Sequence, residues 1–432
     1  MISSSFADVV VVLSLIVSAG AYIFVSEREG SYLNILTPAY LTGIPAYYLL
    51  PIFTTHLFGN DASPYAYAYV YATLATENVA FAYAYLHSTS KLMRLPFRYS
   101  YRNFGSLSLV LLGIAILMYV PILLEFPEYI FDPRQIYEHT RVGFGINYYV
   151  SSTLAYLSVI LIEFTEYPRW MRWGVSLVAA ALLSLHGSKG QVLSLFLVLA
   201  LFEVYVRGRK VRLLPSLIVA GGLSLLVLLL FVASMAIDKD PLEAVRTISE
   251  YSDYTRNAML VIDSHFPLQY GRLTMEGHVY GRIPRFLMPD KPTNFGALYL
   301  DDQFFPESLD AEAGSPDFGI GVQYADFGLL AIAYLAFFAM VRGWLARMFV
   351  RRLNGTQHPA DFFMVAFLAN VSLFPVGAVG WLLPEAFLVA FFIRFASRMG
   401  SDAIYRDQVR IRTRSAVLRG TATIDDSEAP FA

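Results

Sequence analysis

Apolar runs of about twenty residues recur along nearly the whole chain, and they limit its fold more than any other feature. A run of that length crosses the ~30 Å hydrocarbon core of a bilayer as one helix. In lipid every backbone N–H and C=O must find its partner within the segment, so such runs become helices. They can be marked at residues 6–25, 33–53, 65–86, 104–124, 144–162, 170–185, 191–206, 213–237, 320–341, 362–380 and 382–396. Composition agrees: 15% of the residues are charged and 56% hydrophobic, whereas a soluble chain carries roughly a quarter charged residues. The expected class is all-α, a polytopic transmembrane helix bundle of about eleven spans.

Orientation follows from the short loops, because Lys and Arg are retained on the cytoplasmic side. Basic clusters follow the third run (Lys91, Arg94, Arg98, Arg102), the fifth (Arg169, Arg172) and the seventh (Arg207, Arg209, Lys210, Arg212). Others follow the ninth (Arg342, Arg347, Arg351, Arg352) and fill the tail from Arg398 to Arg419. All these runs are odd-numbered, so the N-terminus is expected outside and the tail in the cytoplasm. The chain then divides into spans at 1–235, one large extracytoplasmic loop at 236–320, three further spans at 321–396 and a tail at 397–432. Met1 to Ser5 lacks the basic start of a secretory signal, so the first helix is expected to be retained.

Several function classes drop out. A formal charge of −2 without a basic block gives no reason to expect nucleic acid as a partner. Without cysteine there is no thiol catalysis and no Cys-based metal site. The histidines form no HExxH motif, and no EF-hand, Walker A, dinucleotide fingerprint or Gly-x-Ser-x-Gly elbow occurs. No metal and no cofactor is expected.

Some runs hold residues that a plain lipid-facing helix avoids. Pro38, Gly43 and Pro45 predict a kink or break in the second. Tyrosines alternate from Tyr65 to Tyr71 as in a strand, but an isolated strand cannot span lipid, so a helix is expected. Glu77 falls near mid-membrane, where an ionisable group faces a cavity or a partner helix. Glu203 and Glu385, near span ends, read as interfacial. In the long loop, Asp240-Pro-Leu-Glu243 has the form of a capping box, a helix is expected over 254–262, and 271–321 is expected to be mostly irregular.

What stands out is positive charge on the outer side. Arg134 and Arg141 lie on one outer loop, Lys189 on the turn His186–Gly190, and Arg282, Arg285 and Lys291 on the long loop. Arginine forks bind phosphate bidentately and lysine adds a point charge. Taken singly, each residue is accounted for by pairing with the abundant outer carboxylates. Taken as a converging set, they suit an anionic substrate at the membrane surface. Tyr280, Phe286, Phe295, Tyr299, Phe304 and Phe305 offer flat faces for sugar rings, or ordinary packing.

With these residues in view, the chain resembles the Wzy-type polymerases of O-antigen and exopolysaccharide repeat units, within the O-antigen polymerase and ligase superfamily. The stretch Ile283-Pro-Arg285-Phe-Leu-Met-Pro289-Asp-Lys-Pro292 is similar to the family's Pro-Arg…Lys-Pro loop. Gln323-Tyr-Ala-Asp326-Phe-Gly328 resembles its aromatic-polar-Phe-Gly entry to a late span, and Ser188-Lys189-Gly190 resembles a Ser-Arg-Gly turn, with Lys for Arg. Arg134…Gly145 and Arg285…Gly296 both fit an Arg-x10-Gly spacing found in some members. The histidine of the ligase branch has no equivalent near Gly314-Ser315-Pro316, where Asp317 is the nearest polar residue.

The resemblance implies a GT-C-like, metal-independent glycosyltransferase of the bacterial inner membrane. Its partners would be undecaprenyl-diphosphate-linked oligosaccharide, the lipid bilayer and a chain-length regulator. It gives Arg285, Arg282, Lys189 and Arg134 the task of stabilising the leaving diphosphate. Glu276, His278 and Asp317 remain alternatives for the base, and Arg141, Lys291, Asp290 and Tyr280 are expected to bind substrate. Two other readings stay open, an O-antigen ligase and a transporter of lipid-linked oligosaccharide or polysaccharide. A transporter should show repeated halves and a charged central path; here the charges gather in one loop and no repeat is evident.

Overall fold

The computed structural model describes residues 4–59, 62–88, 102–130, 135–136, 144–187, 189–213, 215, 222, 253–283, 287–306, 317–374 and 382–397. Among these residues the chain is helical and contains no strand. Four helical segments are long and apolar enough to cross a membrane: Phe6–Glu29, Phe104–Glu125, Gly145–Glu163 and Gly321–Thr356. The eighth run at 213–237 save for residues 213, 215 and 222, the capping box at 240–243 and almost all of the outer segment 125–143 beyond Ile130 fall outside the described residues.

The first half begins with α1 (Ser4–Glu29). The second run departs from a regular α-helix where its prolines predict a kink or break: α2 (Thr37–Gly43) continues through a π-helical turn (Ile44–Leu49) into α3 (Leu50–Phe58). A proline ring removes an i→i−4 donor, and a wider turn absorbs the mismatch. Next comes α4 (Pro64–His87), started by Ser63, whose Oγ accepts from Ala66 N at 3.1 Å, with Pro64 in the first turn. Its tyrosines sort at helical spacing. Tyr67 and Tyr71 stack at 6.2 Å and are buried, while Tyr65 and Tyr69 lie 6.1 Å apart. The strand-like alternation therefore marks two neighbouring rows on one helix. Then follow α5 (Arg102–Glu125), α6 (Gly145–Glu163), α7 (Arg169–Leu185) and α8 (Lys189–Tyr205).

The second half holds four short helices, α9 (Asp253–Asp263), α10 (Arg272–Tyr280), α11 (Ala297–Phe304) and α12 (Gly321–Phe327). They precede α13 (Ala331–Thr356), α14 (Pro359–Leu368) and α15 (383–397). The helix expected over 254–262 is α9. The stretch 271–321, expected to be mostly irregular, carries two short helices, α10 and α11, among its described residues. The ninth span also differs, because Arg342 and Arg347 sit inside α13 rather than beyond its end.

The bundle is built on α13, α4 and α1, with α5, α6 and α7 packed in sequence and α14 against α13. Contact between α4 and α13 requires Gly343: a Cβ there would lie 2.4 Å from Phe81 O. Along this seam Arg342 stands 4.8 Å above the Phe81 ring and within electrostatic range of half-buried Glu77. A charge that acts on Glu77 is thus an arginine on the neighbouring helix α13. One of the two charges was read as part of a loop cluster.

Two faces of the bundle can be told apart. On one, Asp8 of α1 pairs with His56 of α3 at 3.0 Å, and Ser63 N donates to Asp263 Oδ2 of α9 at 2.6 Å. On the other, Tyr205 donates to Glu29 at 2.7 Å, Arg347 lies 3.9 Å from Glu29, and Glu163 binds Arg172 and Arg207 at 3.3 and 2.9 Å. Asp361, fully buried, joins Arg352 at 3.3 Å, Thr356 and Arg394, tying α13, α14 and α15 together there. Arg172, Arg207, Arg347 and Arg352 therefore share the face opposite to the short helices.

Those short helices form a cap over the start of α4. Within it Val261, Leu273, Leu300, Phe318 and Ala325 make a buried cluster, with Phe266, Tyr299, Phe304 and Tyr324 against it. Each large apolar side chain fully buried there contributes about 1.5–3 kcal/mol. A second cluster, with Ala258, Met259 and Ile262 of α9 among Tyr67, Val70 and Tyr71 of α4, fixes the cap to the bundle.

Candidate active site

The candidate site is built around α10, a helix that its own sequence could not start. Tyr270 and Gly271 adopt φ of +53° and +86°, and Gly271 has no side chain with which to cap. Asp326 of α12 supplies the cap from a distance. Its buried carboxylate accepts from Leu273 N at 3.0 Å, Thr274 N at 2.7 Å and Thr274 Oγ1 at 2.6 Å. A negative charge on first-turn N–H groups is the favoured arrangement for a helix N-terminus.

Midway along α10, Gly296 crosses Gly277 at φ +61°. A Cβ on Gly296 would lie 3.0 Å from Gly277 Cα, and Gly296 N donates to Glu276 Oε2 at 3.2 Å. At its C-terminal end Arg282 donates through Nε and Nη2 to both carboxylate oxygens of Glu385 at the start of α15, the second at 3.3 Å. From Nη1 it donates to His278 O at 2.7 Å and to His278 Nδ1 at 3.1 Å. Lys291 reaches back to donate to Ile283 O at 3.1 Å and lies 4.6 Å above the Phe295 ring. Ile283 and Lys291 are thereby held together.

These contacts set the chemistry. Arg282 stays charged and can only donate, so Nδ1 of His278 accepts and the ring proton sits on Nε2. Burial, and then the charge of Arg282, lower the pKa of His278, with Glu385 opposing. A neutral imidazole whose lone pair already faces a guanidinium is a hydrogen-bond donor through Nε2 and a poor proton acceptor. Glu276 is also occupied, by Gly296 N on one oxygen and Arg272 at 3.0 Å on the other. Asp317 differs. Burial of its carboxylate raises its pKa, offset in part by the Gly319 N–H at 2.8 Å. The residue is nevertheless exposed, so the group stays within reach of solvent.

The structure thus brings Glu276, His278, Tyr280, Arg282 and Lys291 together on α10 and the turn after it. Tyr280 packs edge-on against Phe295 at 5.7 Å, and Asp290 is exposed. Asp317 lies beside α9, where Asn257 donates to its backbone oxygen at 3.0 Å. Arg134, Arg141 and Arg285 fall outside the described residues, as does the side chain of Lys189, the first residue of α8. Sequence reasoning missed Asp326 as a cap and gave Glu385 only an interfacial role. The signal for Asp326 was its place inside the Gln323–Gly328 motif. Among the described residues, no group of three or more His, Asp or Glu side chains is placed to hold a metal ion.

A bundle with four helical segments long and apolar enough to cross a membrane, and a helical cap that gathers paired Arg, His and Glu, defines a multi-pass membrane protein. The chain is 34% identical over 372 residues to the O-antigen polymerase of Salmonella typhimurium strain LT2 and to that of Salmonella typhi, covering 85% of this chain and 90% of each relative. The chain belongs to the O-antigen polymerase family. No protein-family model matches it, and no solved structure matches it.

Proposed function

We propose that this chain is a glycosyltransferase that polymerises O-antigen repeat units on the outer face of the inner membrane. The observation that carries the reading is its identity to O-antigen polymerases along 85% of its length. The donor is a growing glycan on undecaprenyl diphosphate and the acceptor a single lipid-linked repeat unit. A hydroxyl of the acceptor attacks the anomeric carbon, the C1–O bond to phosphate breaks, and the lipid diphosphate leaves with the electron pair. The hydroxyl proton passes to a base. Of Glu276, His278 and Asp317, Asp317 suits that task, because the other two are engaged in holding α10.

Arg282 acts as an anchor, since Glu385 and His278 already take its donors. Arg285, three residues on and between Pro284 and Pro289, takes the leaving diphosphate, with Lys189 and Arg134 completing the charge. In this reading the cap faces outward, the described basic clusters face the cytoplasm, and residues 236–320 form the catalytic loop. Arg285→Ala should leave membrane insertion intact and cut polymerisation by about 100-fold or more, so that single repeat units accumulate. Arg256→Ala, on the exposed side of α9, should match wild type. Long chains from a well-expressed Arg285→Ala variant would remove Arg285 from the mechanism.

A further inference from the structure

A cavity of about 600 Å³ lies between α10 and the junction of α12 with α13, within the size range of small-molecule sites. Its lining divides into two ends. Arg272, Thr274 and His278 of α10 form a polar end on the cap, whereas Phe327, Tyr334 and Phe338 form an apolar end where the chain enters the membrane-crossing segment Gly321–Thr356. The three rings make a ladder, with Phe327 stacked on Tyr334 at 4.8 Å and Tyr334 against Phe338 at 4.5 Å. On the neighbouring surface Leu329, Leu330 and Phe337 are 65%, 73% and 56% exposed, which suits a face turned to lipid. The side chain of Arg272 is 46% exposed although Glu276 holds its Nε, leaving other guanidinium donors at the polar end.

A cleft with the Arg272 guanidinium and the Nε2–H of a neutral His278 at one end and an aromatic ladder at the other suits an amphipathic ligand with an anionic head and a hydrocarbon tail. We propose that this cleft receives the polyprenyl diphosphate end of the lipid-linked substrate, entering sideways from the outer leaflet. The first isoprene units lie along Phe327, Tyr334 and Phe338, and the phosphate nearest them meets Arg272 and the Nε2–H of His278. The inference rests on the polymerase reading and adds to it the side from which substrate arrives. It also accounts for the engagement of His278 with Arg282, which turns its N–H rather than its lone pair outward. Basic pockets beside membrane helices are known to hold anionic lipid heads, so an ordinary phospholipid is the competing occupant.

The test uses the full-length protein in vesicles of phosphatidylethanolamine and phosphatidylglycerol. The probe is a polyprenyl diphosphate carrying a photoactivatable diazirine in its first isoprene unit. Illumination should label the peptide spanning 327–338, with unlabelled polyprenyl diphosphate competing and excess phosphatidylglycerol failing to compete. Phe338→Ala, and separately the milder Phe338→Leu, should lower labelling there, the former by about tenfold. Label confined to other helices, or equal competition by phosphatidylglycerol, would overturn the proposal. The same vesicles, supplied with lipid-linked repeat units, report polymerisation by the wild-type chain. Its failure would sink the polymerase reading whatever the labelling shows, while polymerisation with label elsewhere would sink only the cleft.

Discussion

Replacing Asp326 by alanine removes the one carboxylate that starts α10, and its effect can be worked from the contacts. Three donors lose their acceptor: Leu273 N, Thr274 N and Thr274 Oγ1. Leu273 is 1% exposed, so its N–H has no water to turn to, while half-buried Thr274 is partly resolvated. Hydrogen bonds to a charged partner contribute about 1.5–3 kcal/mol each, and loss of an N-cap costs about 1 kcal/mol. Allowing for resolvation, Asp326→Ala should destabilise α10 by about 3–4 kcal/mol, or two to three powers of ten in its opening equilibrium. Amide hydrogen exchange over 273–280 should accelerate by that factor, with the α4–α13 seam unaffected. Polymerisation should fall with it, because His278 and Arg282 lose their platform. Asp326→Asn keeps one acceptor oxygen and should fall between. Unchanged exchange in α10 of Asp326→Ala would refute the reasoning.

Other consequences can be checked independently. Arg282→Glu and Glu385→Arg should each destabilise the junction of the cap with α15. The double variant should recover about 0.5–3 kcal/mol relative to the sum of the two; strict additivity in thermal melts would contradict a direct pair. Gly343→Ala should cost about 1–3 kcal/mol by forcing α4 and α13 apart, seen as a lower melting temperature in detergent, and an unchanged melt would contradict the close approach. For His278 the folded pKa lies below the unfolded value of 6.5, so the unfolded state takes up more protons as pH falls through that region. Exchange in α10, corrected for intrinsic rates, should therefore quicken as pH drops below about 6.5, and His278→Gln should abolish that dependence. Persistence of the same slope in His278→Gln would assign it elsewhere.

Much of this architecture was legible in the sequence, for reasons that can be named. The four crossing segments announce themselves by apolar length, and an irregularity near Ile44–Leu49 by its prolines, though not its π-helical form. The start of α4 went unread, although Ser63 and Pro64 provide a local cap there. By contrast α10 was hidden, because its cap comes from Asp326, more than fifty residues away, and its interior glycine serves contact with Gly296 rather than a turn. Arg342 was misplaced for a similar reason. A rule that counts arginines by position along the chain cannot see one that turns inward to meet Phe81 and Glu77. The site motifs were visible as patterns, yet the division of labour within them was not. That Lys291 closes the loop and Arg282 is held by Glu385 depends on contacts made only after folding.

Covalent chain growth is the claim on which the account turns, and reconstitution measures it most directly. The purified protein in sealed vesicles, given lipid-linked repeat units on its cap side, should yield a ladder of glycans still attached to lipid diphosphate. One free polyprenyl diphosphate should appear for each new glycosidic bond. Arg285→Ala should leave the single units unchanged. Single units carried across the bilayer, with no ladder and no released polyprenyl diphosphate, would contradict the account and mark the chain as a transporter.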